Sequence, residues 1–188
     1  LNQTYTNYDV LYINDASTDD TLSHIQKIKL DYDFDIFLKA DYSVHSGSGI
    51  DDQGQELTDI HESYGGFPNS YSKVNTEIKQ LWYDHTQVDY KDLGTQLNME
   101  VITVSSILQP PGNTVTIHRD TFFQIKKRYP NDARQKVRAN IYLEEWKVGH
   151  FLTYEIDKEW HNSTHWNAGD GFLWNSDHLH LSTNAGMK

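Results

Sequence analysis

Short alternations of apolar and polar residues recur in the second half of the chain, and a period of two predicts β-strands. The segments, some alternating and some continuously apolar, are residues 99–108, 114–120, 137–143, 148–156 and 172–174. Gly or Asp-Gly turns separate several of them. Short strands divided by such turns are typical of a β-sandwich or barrel, so this half is predicted to be mainly β.

The first forty residues carry a different pattern. Two short runs rich in β-branched and aromatic residues, 8–13 and 34–38, predict strands. Between them, the hydroxyl and acidic residues of 17–21 predict the start of a helix that has Ile25 and Ile28 on one face. Together these elements predict a small β-α-β unit.

A stretch rich in Ser, Gly and Asp follows at residues 41–70 and predicts a loop, a domain boundary or an active-site lid. Residues 72–85 place apolar side chains three to four positions apart, which predicts a helix. The sequence therefore predicts two parts. An N-terminal α/β extension with its loop covers residues 1–70, and a mainly β core with flanking helices covers residues 71–188.

Composition argues against several classes of protein. The 188 residues carry a formal net charge of -11, and no long run of Lys and Arg is present to neutralise phosphates, so nucleic acid is not an expected partner. The longest basic run, Lys126-Lys127-Arg128, predicts a solvated turn or helix end. Without cysteine, disulfides and thiolate sites are excluded. No apolar run suits a membrane span or signal peptide, so a soluble, cytoplasmic protein is expected.

One predicted strand contains a pair of residues with a definite chemistry. In residues 114–120, His118 and Asp120 are two positions apart, so their side chains point to the same face. Two such ligands can bind one ion, and imidazole with carboxylate suits Fe(II), Mn or Zn. A polar strand that faces water would contain the same pair, and the pair alone does not separate these interpretations.

The motifs around the pair form an ordered series. Pro110-Pro111-Gly112 precedes it, and Gly169-Asp170-Gly171-Phe172-Leu173-Trp174 leads to two further histidines, His178 and His180. With these motifs, residues 97–188 resemble the Fe(II)/2-oxoglutarate-dependent oxygenases, particularly the prolyl- and asparaginyl-hydroxylase-like branches. The resemblance implies a double-stranded β-helix (jelly-roll) core that holds Fe(II). It also implies a dioxygenase that uses O2, converts 2-oxoglutarate into succinate and CO2, and hydroxylates a protein side chain or a small metabolite.

The resemblance implies that His118, Asp120 and a later histidine are the catalytic metal ligands, and it favours His180. In the family the ligand lies four residues after the Ser of a Phe-Pro-Ser strand, and Ser176 is four residues before His180. The prolyl-hydroxylase branch also places a 2-oxoglutarate-binding Lys ten residues beyond the ligand. Counted from His178 that residue is Lys188, so His178 stays open as the alternative.

The far carboxylate of 2-oxoglutarate needs a cation, which the family supplies from the strand after the distal histidine. Lys188 is the candidate. Arg138, Asn140 and Tyr142 share one face of the predicted strand 137–143, and a polar, aromatic face is expected of a strand that lines a ligand cavity. Exposure of that face to water is the competing interpretation.

A second resemblance concerns a short stretch at the start of the chain. Residues 1–21, including Asn14-Asp15-Ala16-Ser17-Thr18-Asp19-Asp20-Thr21, are similar to the opening of family-two glycosyltransferases, where a strand ends in a turn that contacts the nucleotide. A fragment of a nucleotide-sugar glycosyltransferase is therefore one alternative function. A non-catalytic jelly-roll binding module is another.

Overall fold

The computed structural model describes residues 8–17, 25–42, 47–48 and 77–186. This part of the chain is mainly β-structure. Its strands are β1 Tyr8–Ser17, β2 Gln26–Lys29, β3 Gly47–Ser48, β4 Glu77–Tyr83, β5 Val101–Gln109, β6 Asn113–His118, β7 Gln135–Tyr142, β8 His150–Ile156, β9 Glu159–Ser163, β10 Asp170–Asn175 and β11 His180–Asn184. Its helices are α1 Asp35–Leu38, α2 Tyr90–Leu97 and α3 Phe123–Arg128. None of the helices in these ranges has the length and apolarity needed to cross a membrane.

The strands form two antiparallel sheets. One has seven strands in the order β2-β10-β7-β1-β5-β4-β3, and the other has four in the order β6-β11-β8-β9. The chain changes sheet at every step from β5 to β8, and again between β9 and β10 and between β10 and β11. Because side chains of both sheets share one apolar cluster, the sheets pack face to face.

The seven-stranded sheet has a buried apolar cluster on each face. The outer cluster joins β7 to the helices α1 and α2, with members that include Val137, Ala139, Ile141, Phe37 and Leu93. The inner cluster lies between the sheets and includes Tyr142, Phe172, Trp174, Leu152 and Tyr154. β7 is therefore covered on both faces, and the four-stranded sheet closes the inner one.

The strands predicted in the second half of the chain are confirmed. β5, β6, β7, β8 and β10 each overlap the corresponding predicted segment, with ends that shift by a few residues. The mainly β class with flanking helices is likewise confirmed for the described residues. The basic run Lys126-Lys127-Arg128 is exposed and ends α3, as predicted.

Three predictions for the first half were wrong. Residues 34–38 were predicted as a strand but contain α1, whose first turn begins where Asp33 Oδ1 accepts the Asp35 N–H at 3.0 Å. Ile25 and Ile28 were assigned to a helix, whereas β2 contains Ile28 and pairs with β10 at the sheet edge. The β-α-β unit is therefore replaced by a strand, a second strand and a short helix in the described ranges.

The helix predicted for residues 72–85 is also wrong, because residues 77–83 form β4. This strand pairs with β5 from Lys79 to Tyr83. Its apolar residues serve both faces of the sheet, with Leu81 against the outer cluster and Ile78 against the inner one. Apolar residues on both faces imitated the three-to-four spacing of a helix.

The beginning of the chain joins the large sheet instead of forming a separate layer. β1 lies between β7 and β5 and pairs with both, with β5 from Tyr8 to Asp15 and with β7 from Val10 to Ser17. Asp15 and Ser17 are therefore strand residues, whereas the glycosyltransferase comparison expects a turn here. Residues 18–24, and most of the predicted loop at 41–70, lie outside the described residues. The division at residue 70 stays a prediction.

Candidate metal centre

His118, Asp120 and His180 come together between the two sheets. Each offers one ligand atom, and these atoms lie within 4.8 Å of one another. All three residues are buried, with at most 7% of their surface exposed. His118 ends β6, Asp120 follows two residues later, and His180 begins β11 directly opposite His118. The group could hold a metal ion.

A β-bulge in β6 lies next to His118. His180 pairs with His118, but Ser182 pairs with Val115, so three steps along β6 match two along β11. An extra residue of this kind re-aims side chains and is frequent beside active sites. The carbonyl of Thr116, within the bulge, accepts a hydrogen bond from His118 Nδ1 at 2.7 Å. The bulge thus supplies the acceptor that fixes the imidazole ring.

The same device fixes both histidine rings in the tautomer that a metal ligand needs. His180 Nδ1 bonds to the carbonyl of His178 at 3.1 Å, just as His118 Nδ1 bonds to that of Thr116. A carbonyl only accepts, so each Nδ1 carries the proton. Each Nε2 therefore keeps its lone pair, and a backbone acceptor behind the ring is the usual support of a metal-binding imidazole.

His180 is neutral at physiological pH, and its Nε2 lacks a hydrogen-bond partner in the part of the chain that the structure describes. Burial, followed by the nearby His118, lowers the pKa of His180 to about 3. Nε2 is buried without a hydrogen-bond partner among the described residues and lies 3.6 Å from Asp120 Oδ2. An inward-facing lone pair with nothing to bind is costly in a protein interior, and a metal ion would satisfy it.

Asp120 is held ionised by its neighbours. Burial alone would raise the pKa of Asp120, but the Arg138 guanidinium, the two imidazoles and the Trp174 indole together bring it below the usual range. Arg138 Nη1 lies 2.9 Å from Oδ1, and Trp174 Nε1 donates to Oδ2 at 2.8 Å. Because a carboxylate has about four lone-pair positions, these two contacts leave acceptor capacity for a metal.

Of the two candidate histidines, His180 is the one that joins His118 and Asp120. His178 contributes its main-chain carbonyl to the His180 ring. Both histidines therefore contribute to the metal group, His180 through its side chain and His178 through its backbone carbonyl. Lys188, the predicted cation for the co-substrate, lies outside the described residues.

The three residues predicted to line a ligand cavity all lie on the inner side of β7. Asn140 and Tyr142 are almost fully buried, and the Arg138 side chain is 20% exposed. The competing interpretation, a face of β7 that is open to water, is therefore wrong, because the four-stranded sheet covers it. Tyr142 stacks on Trp166, with ring centroids 3.9 Å apart. Arg138 contacts the carboxylate of the metal group.

Sequence reasoning missed the role of Trp174. Its indole donates to Asp120, and its ring lies 4.6 Å from that of His180. A signal was present, since Trp174 is spaced two residues from Phe172 on a strand that leads to the metal group. A buried Trp normally finds an acceptor for its N–H, and Asp120 was the obvious candidate.

Comparisons of the chain with protein-family models, with curated proteins and with solved structures found no match. The chemistry of this centre therefore has to be inferred from its own residues. Two imidazoles and one carboxylate suit a divalent first-row metal.

Proposed function

We propose that the protein is an Fe(II)- and 2-oxoglutarate-dependent oxygenase that hydroxylates a protein side chain or a small metabolite. The observation that carries the proposal is the buried group of His118, Asp120 and His180. It combines two histidines and one carboxylate, as the facial triad of non-haem Fe(II) oxygenases does.

The strand order supports a jelly-roll core for this proposal. In a jelly roll the chain crosses repeatedly between two antiparallel sheets. Here β5 and β7 lie in the large sheet, while β6 and β8 lie in the small one. The small sheet then takes the order β6-β11-β8-β9, which brings the first and the last metal-ligand strands next to each other. Neighbouring strands explain how residues sixty positions apart form one site.

The residues present fit a resident divalent iron. The donor atoms are buried, each ring is held through Nδ1 in the tautomer that a metal ligand needs, and the Nε2 of His180 has no hydrogen-bond partner among the described residues. Bound by these three residues, Fe(II) would supply open positions for 2-oxoglutarate and O2, with oxidative decarboxylation to succinate and CO2 coupled to substrate hydroxylation.

The surrounding residues of this chain would orient the site. Arg138 and Trp174 hold the Asp120 carboxylate from its two oxygens, which fixes its rotation. Asn140 is two residues further along β7, and its buried Oδ1 has no hydrogen-bond partner among the described residues. We assign Asn140 and Tyr142 to the co-substrate cavity together with Arg138, and Lys188 remains the candidate for the far carboxylate.

The test is succinate formation from 2-oxoglutarate by protein that is loaded with Fe(II) anaerobically and then exposed to O2. Calorimetric titration of Mn(II), followed by 2-oxoglutarate, measures binding without turnover. His180→Ala should abolish both metal binding and succinate formation because it removes one of three ligands. His178→Ala is the matched control, since the backbone carbonyl that supports His180 survives in it.

Each alternative function gives a different result. A non-catalytic binding module would give Mn(II) affinity that is weak and equal in His180→Ala and His178→Ala. A glycosyltransferase fragment would bind a nucleotide sugar through the region of Asp15 and ignore 2-oxoglutarate. Loss of metal binding in His178→Ala, with retention in His180→Ala, would overturn the ligand assignment.

A further inference from the structure

Positive charge is concentrated in one short segment beside the metal centre. Between Arg119 and Arg138 lie seven of the sixteen Lys and Arg residues of the chain but only two of its twenty-seven Asp and Glu residues. The segment therefore carries a formal charge of +5, whereas the rest of the chain carries -16. Such segregation produces a local field opposite to that of the whole protein, and it selects for negatively charged ligands.

The fold gathers part of this charge around a groove. The groove has a volume of about 290 Å³ and lies where α3 faces the beginning of β7 and the end of β10. Lys126 of α3, Arg134 and Lys136 line it, and Ser176 adds a hydroxyl. Phe122, with a left-handed φ of 51°, turns the chain sharply from the metal group into α3. That turn brings the basic helix back toward the site.

Three of the residues that line the groove are two positions in sequence from a residue of the metal group or its supports. Phe122 is two residues after the ligand Asp120. Lys136 is two residues before Arg138, which contacts the Asp120 carboxylate. Ser176 is two residues after Trp174, which donates to the same carboxylate. The groove is thus joined to the residues of the metal centre by three short stretches of chain.

Positive charge remains in the groove after its internal ion pairs are counted. Asp132 is the acidic residue among the lining residues, and Arg134 and Lys136 both contact it, at 2.8 and 3.0 Å. These cations lower the pKa of Asp132, which stays ionised. Glu100 pairs with Arg134 from outside. Lys126 is exposed and makes no ion pair with any described residue. Gln135 also lines the groove, and its buried Oε1 has no hydrogen-bond partner among the described residues.

We propose that this groove binds an anionic group, a phosphate or a carboxylate, of the molecule that is hydroxylated at the metal centre. That the bound molecule is the one hydroxylated rests on the proposed oxygenase function, whereas the binding of an anion is a property of the groove itself. Its size suits one such group, with the rest of the molecule extending toward His118, Asp120 and His180. The overall charge of -11 disfavours anions elsewhere on the surface.

The experiment follows the backbone amide NMR signals of Arg134, Lys136 and Ser176 at low ionic strength. Inorganic phosphate is titrated in one arm, acetate in a second and neutral acetamide in a third. We expect saturable shifts with at least one anion and none with acetamide. Lys126→Glu should weaken the binding about fivefold, because it replaces an attraction by a repulsion at an exposed site. Lys127→Glu is the matched control, since the substitution alters the net charge equally but Lys127 does not line the groove.

The anion that binds identifies the substrate group: phosphate alone indicates a phosphorylated molecule, acetate alone indicates a carboxylate, and binding of both shows that the groove accepts either anionic group. Absence of shifts with both anions would overturn the proposal, and so would an equal loss of affinity in the two charge-reversed variants. Mn(II) affinity is measured on the same variants by calorimetry. Anion binding without metal binding would support the anion site and refute the oxygenase function. Metal binding without anion binding would refute the anion site and leave the oxygenase function unaffected.

Discussion

The two faces of β7 are built for different purposes. The outer face carries Val137, Ala139 and Ile141, which are fully buried and purely apolar. The inner face of the same strand carries two polar residues, Arg138, which contacts Asp120 of the metal group, and Asn140, whose buried Oδ1 has no hydrogen-bond partner among the described residues. Both faces are covered, so burial alone does not distinguish them.

The outer and inner faces of β7 differ in how much they contribute to the stability of the fold. Apolar burial on the outer face stabilises the fold at about 25 cal/mol per Å². A buried charge pair and a buried amide oxygen without a partner contribute little or cost free energy. Groups of this kind persist where a site needs them, which supports the assignment of the inner face to the proposed site.

The largest effect on stability is expected on the outer face. Ile141→Ala removes a fully buried side chain from the outer cluster and should lower the free energy of unfolding by about 2–5 kcal/mol. Because Ile141 points away from the metal group, the Mn(II) affinity of the folded variant should be unchanged. Urea denaturation and calorimetry measure the two quantities. A tenfold loss of metal affinity would show that the two faces are coupled.

The sequence predicted the residues of the metal group but not the pairing of two strands in the large sheet. His118 and Asp120 are close in sequence, so their spacing indicated a possible pair of ligands, and the resemblance to the oxygenases added His180. The position of β1 between β7 and β5 depends on pairing with residues about ninety or more positions away, which no local pattern encodes. β4 was missed for the same reason, because its pairing with β5 overrides its helical spacing.

The next largest effect is expected from Arg138, the cation of the inner face. Arg138→Met leaves the Asp120 carboxylate buried without its nearest positive charge, which should lower stability by about 3 kcal/mol in metal-free protein. Saturating Mn(II) should recover much of that loss, since a divalent cation replaces the missing charge. Thermal denaturation with and without Mn(II) measures both effects.

Arg134→Met is the matched control for that variant. Arg134 also forms ion pairs, with Asp132 and Glu100, but it lies at the surface and does not contact the metal group. Its loss should lower stability much less than the loss of Arg138 does, with no dependence on Mn(II). If the two variants behave alike, the Arg138–Asp120 pair has no special link to the metal site.

A smaller effect, confined to the metal, is expected from Trp174. Trp174→Phe keeps an aromatic ring beside His180 but removes the N–H that holds Asp120 Oδ2. Loss of such a supporting hydrogen bond should weaken Mn(II) binding about tenfold, as measured by calorimetry. Trp166→Phe, in the same inner cluster but stacked on Tyr142, should leave the affinity unchanged. Equal affinities in both variants would mean that Asp120 is oriented by Arg138 alone.

The smallest effect has the opposite sign and tests the inner face most directly. Asn140→Leu replaces a buried amide, whose Oδ1 has no hydrogen-bond partner among the described residues, by an apolar group with the same branching. We expect the metal-free protein to gain about 1 kcal/mol of stability in urea denaturation and to lose affinity for 2-oxoglutarate. Asn175→Leu is the control, because Asn175 is equally buried but its Oδ1 accepts the Asp177 N–H at 2.8 Å, and its loss should destabilise. If both substitutions destabilise the protein to the same extent, Asn140 has a structural role. Arg138 would then be the residue that distinguishes the inner face of β7 from the outer one.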